Sequence, residues 1–160
     1  MIPELRLLEL LYDAQIEFVI IGGVAVVIHG STLVTKDLDV CLRFDERNLK
    51  KLAEVLGPLH ARHRLTAQKL PLEITDKNWD MFKNIYVETD FGILDCLGDV
   101  PGVGGYDEAI KNSVLTELPF GKCPVLSVEA LIKAKESAGR PRDIAAIQQL
   151  RLIQGKRKGD

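Results

Sequence analysis

The 160-residue chain has few cysteines: Cys41, Cys96 and Cys123, none of them in a CxxC arrangement. So small and odd a set gives no support to a disulfide framework or a zinc site, and reads as buried small apolar residues. Long apolar runs are lacking too. The longest, Phe18 to Ile28, is broken by two glycines and falls well short of the roughly 20 residues that cross a bilayer. It follows Glu17 rather than a basic leader, so it does not read as a signal peptide, and a cytoplasmic location without membrane contact is the expectation. Basic charge in excess is also missing. Lys and Arg total 21 against 23 Asp and Glu, a formal charge of −2. That balance argues against a broad nucleic-acid-binding face, which needs many clustered cations, and leaves room for a local basic pocket. No internal repeat or low-complexity segment is present.

What remains is the composition of an ordinary globular protein, 46% hydrophobic and 28% charged, of a length suited to one domain over residues 1–160. Leu5, Leu7, Leu8, Leu10 and Leu11 recur at helical spacing after Pro3. Phe18–Ile21 is a short β-branched run stopped by Gly22-Gly23, as expected of a buried strand that turns sharply, with Val24–His29 as a short helix ended by Gly30. Leu38–Phe44 alternates as a second strand, and Glu46–Leu56 is an amphipathic helix ended by Gly57-Pro58. The pattern weakens over Leu59–Asp80, where Leu70, Leu72 and Ile74 suggest an edge strand although Pro71 discourages a central one. Ile85–Val87 and Gly92–Leu97 are expected strands, Pro101–Gly105 a loop and Tyr106–Lys111 a helical turn. Two helices are expected to close the chain over about 127–154, one capped by Ser127 and ended by Gly139, the next opened by Pro141. The tail Lys156-Arg157-Lys158 reads as solvated charge.

Chemistry concentrates at the start of the second strand. Asp37 and Asp39 lie two residues apart, so both carboxylates leave the same face and converge on one volume. Two like charges so close repel, and a hard divalent ion such as Mg²⁺ relieves this while keeping positions open for phosphates. An Asp-x-Asp pair alone is a weak signal, since acidic pairs also occur on solvated strand ends. The Gly22-Gly23 step strengthens it, because glycine lets the backbone approach an anion and aims N–H groups at it; the alternative is a tight strand-to-helix turn packed on the sheet. Asp95 is a lone carboxylate among Ile93, Leu94 and Leu97, either functional or satisfied by backbone N–H groups at a strand end.

Gly22-Gly23, His29-Gly30, Thr35 and Asp37-Leu38-Asp39 together resemble the opening signature of the DNA polymerase beta-like nucleotidyltransferase superfamily, in which a later strand carries a third carboxylate, the place of Asp95. Leu131–Lys135 and Gly139-Arg140-Pro141-Arg142-Asp143 are similar to the lysine and Arg-Pro-x-Asp stretch of small bacterial members, some of them components of toxin–antitoxin and abortive-infection systems. The resemblance implies an α+β fold, a mixed β-sheet flanked by helices with C-terminal helices. It implies a Mg²⁺- or Mn²⁺-dependent transfer of a nucleoside monophosphate from a nucleoside triphosphate such as ATP to a hydroxyl of a protein, RNA or small molecule, with release of pyrophosphate.

In that frame Asp37, Asp39 and Asp95 are catalytic metal ligands, and Gly22, Gly23, Lys135 and Arg140 bind nucleotide. Lys135 as a solvated helix residue and Arg140 as a partner of Glu136 or Asp143 are the alternatives. His29 reads as a hydrogen-bonded structural residue, and Thr35 as a cap or brace for the loop carrying Asp37. Two positions depart from the family pattern: Leu33 where many relatives have arginine, and Ala146 where an aspartate commonly follows. They keep a second expectation open, a catalytically degenerate module that binds nucleotide or a protein partner, such as one half of a toxin–antitoxin pair. A phosphohydrolase using the same carboxylates is a third.

Overall fold

A computed structural model describes residues 2–159. In chain order its elements are α1 (Pro3–Asp13), β1 (Phe18–Ile21), α2 (Gly22–Ile28), β2 (Leu38–Leu42), α3 (Glu46–Leu56), β3 (Arg62–His63), β4 (Asn84–Thr89) and β5 (Gly92–Leu97). There follow β6 (Asp99–Val100), β7 (Gly104–Gly105), α4 (Tyr106–Lys111), β8 (Ser113–Leu118), β9 (Gly121–Leu126), α5 (Val128–Ala138) and α6 (Ile144–Gly159). Seven strands form one mixed sheet in the order β3-β4-β5-β2-β1-β9-β8, and β6 pairs with β7 apart from it. The expected mixed sheet flanked by helices is the observed architecture.

The local rules behave as the sequence predicts. Pro3 opens α1, whose Leu7, Leu8 and Leu11 are buried. Each such leucine contributes about 2 kcal/mol on leaving water. Asp45 caps α3 by accepting from the Asn48 N–H at 2.8 Å, and Ser127 caps α5 by accepting from the Ala130 N–H at 3.1 Å. Gly139 ends α5 in the left-handed conformation, φ 63°. Among the described residues no helix is long and apolar enough to cross a membrane.

Other expectations fail for identifiable reasons. Leu70–Ile74 makes no strand, only an isolated bridge between Pro71 and Arg62, because proline has no N–H to extend a ladder. The β8–β9 hairpin has no counterpart in the sequence reading. Pro124 and the exposed Val114 and Leu115 spoil its alternation, yet β9 pairs parallel to β1 through Ile20 and Val125 and widens the sheet. The second strand stops at Leu42, α2 starts at Gly22 instead of Val24, and the end of the 101–105 loop pairs as β7. Pro141–Asp143 forms a 3-10 turn ahead of α6. The basic tail Lys156–Lys158 is exposed, as solvated charge should be, but it continues α6, and Arg157 Nη2 reaches His29 Nδ1 at 3.2 Å.

Candidate active site

Three adjacent strands build the floor of the site. β1 runs antiparallel to β2 with Ile21 opposite Asp39, and β2 runs parallel to β5 with Asp39 opposite Asp95. Asp39 therefore sits between the end of β1 and the Asp95 carboxylate, about 4.8 Å from each neighbouring strand. Immediately after Ile21 the chain turns through Gly22 at φ +64°, and any Cβ there would overlap the Asp39 carboxylate. Glycine is required on both counts, of backbone angle and of space. A Cβ on Gly23 would meet Thr35 Oγ1, and that hydroxyl donates to the Asp37 carbonyl at 3.4 Å, so Thr35 braces the approach to β2 against the glycine turn.

One open cleft of about 890 Å³ brings together Gly22, Gly23, Asp37, Asp39, Asp95, Lys135 and Arg140, which lie far apart in the chain. Leu33 and Ala146 line it as well. Its electrostatics are uneven. Burial raises the Asp39 pKa to about 7, with Asp95 and then Asp37 adding to the rise and Lys135 and Arg64 opposing it. A carboxylate so displaced lacks a sufficient counter-charge. On the opposite side Asp143 is buried at 5% exposure, but Arg140 Nε holds it at 2.7 Å and Lys135 Nζ at 3.4 Å. Burial pushes its pKa up, and these two cations more than offset that, leaving it lowered. Arg140 thus takes the Asp143 partnership foreseen as its alternative. Lys135 is not a solvated helix residue: its side chain is 13% exposed.

Asp95 is not satisfied by backbone N–H groups, the structural course expected for it. Arg64 takes it in a two-pronged pair, Nε donating to Oδ1 at 2.9 Å and Nη2 to Oδ2. Sequence reasoning missed Arg64 because it lies in the weakly patterned 59–80 segment, where neither spacing nor motif marks it. Gln149 was missed as well. Its Oε1 accepts from Ser31 Oγ at 2.6 Å and from the Thr32 N–H at 3.1 Å, tying α6 to the loop that precedes Asp37. That supplies, one turn beyond Ala146, a polar link between helix and core of the kind the alanine lacks. His29 donates from Nε2 to the Leu126 carbonyl at 2.8 Å, and burial lowers its pKa, so it is a neutral structural residue linking α2 to β9.

Among the described residues no three His, Cys, Asp or Glu side chains are grouped so as to hold a metal between them. The three-carboxylate set is not assembled, because both Asp95 oxygens face Arg64. Asp37 and Asp39 do fit one hard divalent ion: two oxygen donors on one face, undercompensated in charge and open to a cleft, with phosphate and water to complete an octahedron.

No family model and no curated protein matches the chain. Solved structures do. A candidate nucleotidyltransferase from Thermotoga maritima shares 21% identity at TM-score 0.57, over 93% of this chain and 94% of its own. The lincosamide antibiotic adenylyltransferase LnuA, in its lincomycin-bound form, shares 18% at TM-score 0.64, over 94% and 96%. ANT(2″)-Ia, in complex with adenylyl-2″-tobramycin, shares 16% at TM-score 0.60, over 94% and 87%. At these identities the likeness is one of fold, and it extends over nearly the whole chain.

Proposed function

We propose that the chain is a nucleotidyltransferase, moving a nucleoside monophosphate from a nucleoside triphosphate to a hydroxyl of a small molecule, RNA or protein and releasing pyrophosphate. The observation that carries this reading is the register that sets Asp39 beside Asp95 on parallel strands and against the obligatory glycine turn at Gly22. The adenylylated tobramycin held by a protein of the same fold, ANT(2″)-Ia, supports a hydroxyl acceptor and makes ATP the first nucleotide to try.

In the step itself the acceptor oxygen bonds to the α-phosphorus as the bond from that phosphorus to the α–β bridging oxygen breaks. The hydroxyl proton passes to a carboxylate of the cluster, and pyrophosphate leaves. Asp37 and Asp39 would hold Mg²⁺ or Mn²⁺, which when bound neutralises charge on the phosphates and on the leaving pyrophosphate. Gly22 and Gly23 admit the phosphates close to the backbone, Lys135 supplies positive charge from α5, and Asp95 aligns the acceptor. Arg140, 47% exposed at the cleft wall, meets the outer phosphates with the nitrogens that Asp143 leaves over.

The test uses the four nucleoside triphosphates labelled at the α-phosphate, with Mg²⁺ and cell extract. Label transfer and pyrophosphate release are expected from the wild type and lost in Asp37→Ala and Asp39→Ala. Equal transfer by all three proteins overturns the proposal. The Arg64–Asp95 pair favours a second reading, a module that binds nucleotide without turnover, such as one half of a toxin–antitoxin pair; it gives saturable nucleotide binding with no pyrophosphate.

A further inference from the structure

We infer that the Arg64 guanidinium stands in for a second divalent cation, so that this site takes one metal ion with its nucleotide and not two. The inference rests on the nucleotidyltransferase reading and goes beyond it. Arg64 is held at both ends: its N–H donates to the Tyr86 carbonyl at 3.1 Å, and its guanidinium grips both Asp95 oxygens. Tyr86 is itself the antiparallel partner of Asp95, so one β4–β5 register fixes the arginine, its anchor and the carboxylate together. The guanidinium carbon lies 5.7 Å from the Tyr86 ring centroid, a further restraint on its position. A cation placed this way is part of the construction of the sheet and not a wandering surface side chain, at 25% side-chain exposure.

The charge count points the same way. Asp37, Asp39 and Asp95 bring three negative charges to the adjoining strands β2 and β5, and Arg64 feels all three of them. Before a nucleotide and its own charge enter, one guanidinium and one divalent ion balance that set. A second divalent ion on Asp95 would have to break two charge-assisted bonds and then sit against a fixed guanidinium, whose charge it repels. Asp37 and Asp39 have no ion-pair partner among the described residues, whereas Asp95 has Arg64. The carboxylates left to hold a metal are therefore the first pair alone.

Counting bound Mn²⁺ tests this without turnover. The full chain is titrated with Mn²⁺ while saturated with each α,β-methylene nucleoside triphosphate in turn, and free Mn²⁺ is read by electron paramagnetic resonance. One Mn²⁺ per chain is expected for the wild type and for Arg64→Lys, which keeps the charge, and two for Arg64→Ala, which vacates Asp95. Two ions in the wild type, or a single ion in Arg64→Ala, overturn the inference and leave the nucleotidyltransferase reading standing. No Mn²⁺ with any analogue overturns both. The wild-type count decides the matter even where Arg64→Ala does not fold.

Discussion

The two walls of the cleft carry similar residues and treat them in opposite ways. On the helical wall Asp143 lies between Lys135 and Arg140, and its charge is settled within the protein. On the sheet wall Asp39 is also partly buried, but its near neighbours are two further carboxylates, and its pKa rises to about 7. The helical wall is therefore balanced in charge as it stands, a clamp between α5 and the turn that opens α6 that still turns Lys135 and Arg140 toward the cleft. The sheet wall is held in a state of charge imbalance that a proton or an added cation relieves, the property the proposed metal site would use.

Substitutions on the two walls should separate these roles. The largest effect belongs to the sheet wall: Asp39→Ala is expected to lower nucleotidyl transfer by at least about 100-fold while leaving the protein folded. Pyrophosphate release and circular dichroism, measured together, check both halves of that statement. Asp143→Ala should act first on stability. It strands Lys135 and Arg140 beside each other without their shared anion, and is expected to cost about 3 kcal/mol of stability by urea denaturation. An unchanged midpoint would dissolve the contrast between the walls.

A smaller effect carries the sign of the imbalance. Because the folded Asp39 pKa lies above the unfolded value of 3.8, the native state binds more protons than the unfolded one between about pH 4 and pH 7, and stability falls as pH rises through that window. Asp39→Asn removes this dependence. In the presence of a chelator it should match the wild type near pH 4 and exceed it by up to about 4 kcal/mol at pH 8. Equal stability at both values would mean that Asp39 is not strained by its neighbours.

How much of this could be read in advance follows from how local each signal is. The glycine turn, the acidic strand, α3 with its Gly57-Pro58 stop, the capped α5 and the strand that carries Asp95 are set by residues within a few positions of one another, and each stands where its pattern predicts. Asp143 was visible as a partner for Arg140 because the two are three residues apart. Arg64 was not visible. It meets Asp95 only because β3 folds onto β4, a long-range event in a segment where Pro71 and scattered charges hide any period. The β8–β9 hairpin escaped for a related reason, since an edge strand with Val114 and Leu115 exposed need not alternate. Gln149 likewise reaches Ser31 across 118 positions of sequence.

The difference between the walls can be measured at the carboxyl groups themselves. With aspartate ¹³C-labelled at the carboxyl carbon and Asp39→Asn used to assign the resonance, Asp39 is expected to titrate near pH 7 without metal. With saturating Mg²⁺ and a nonhydrolysable nucleoside triphosphate, its midpoint should fall below the ordinary carboxylate range. An Asp39 that titrates near pH 4 in both conditions would contradict the view that the sheet wall is poised for a cation.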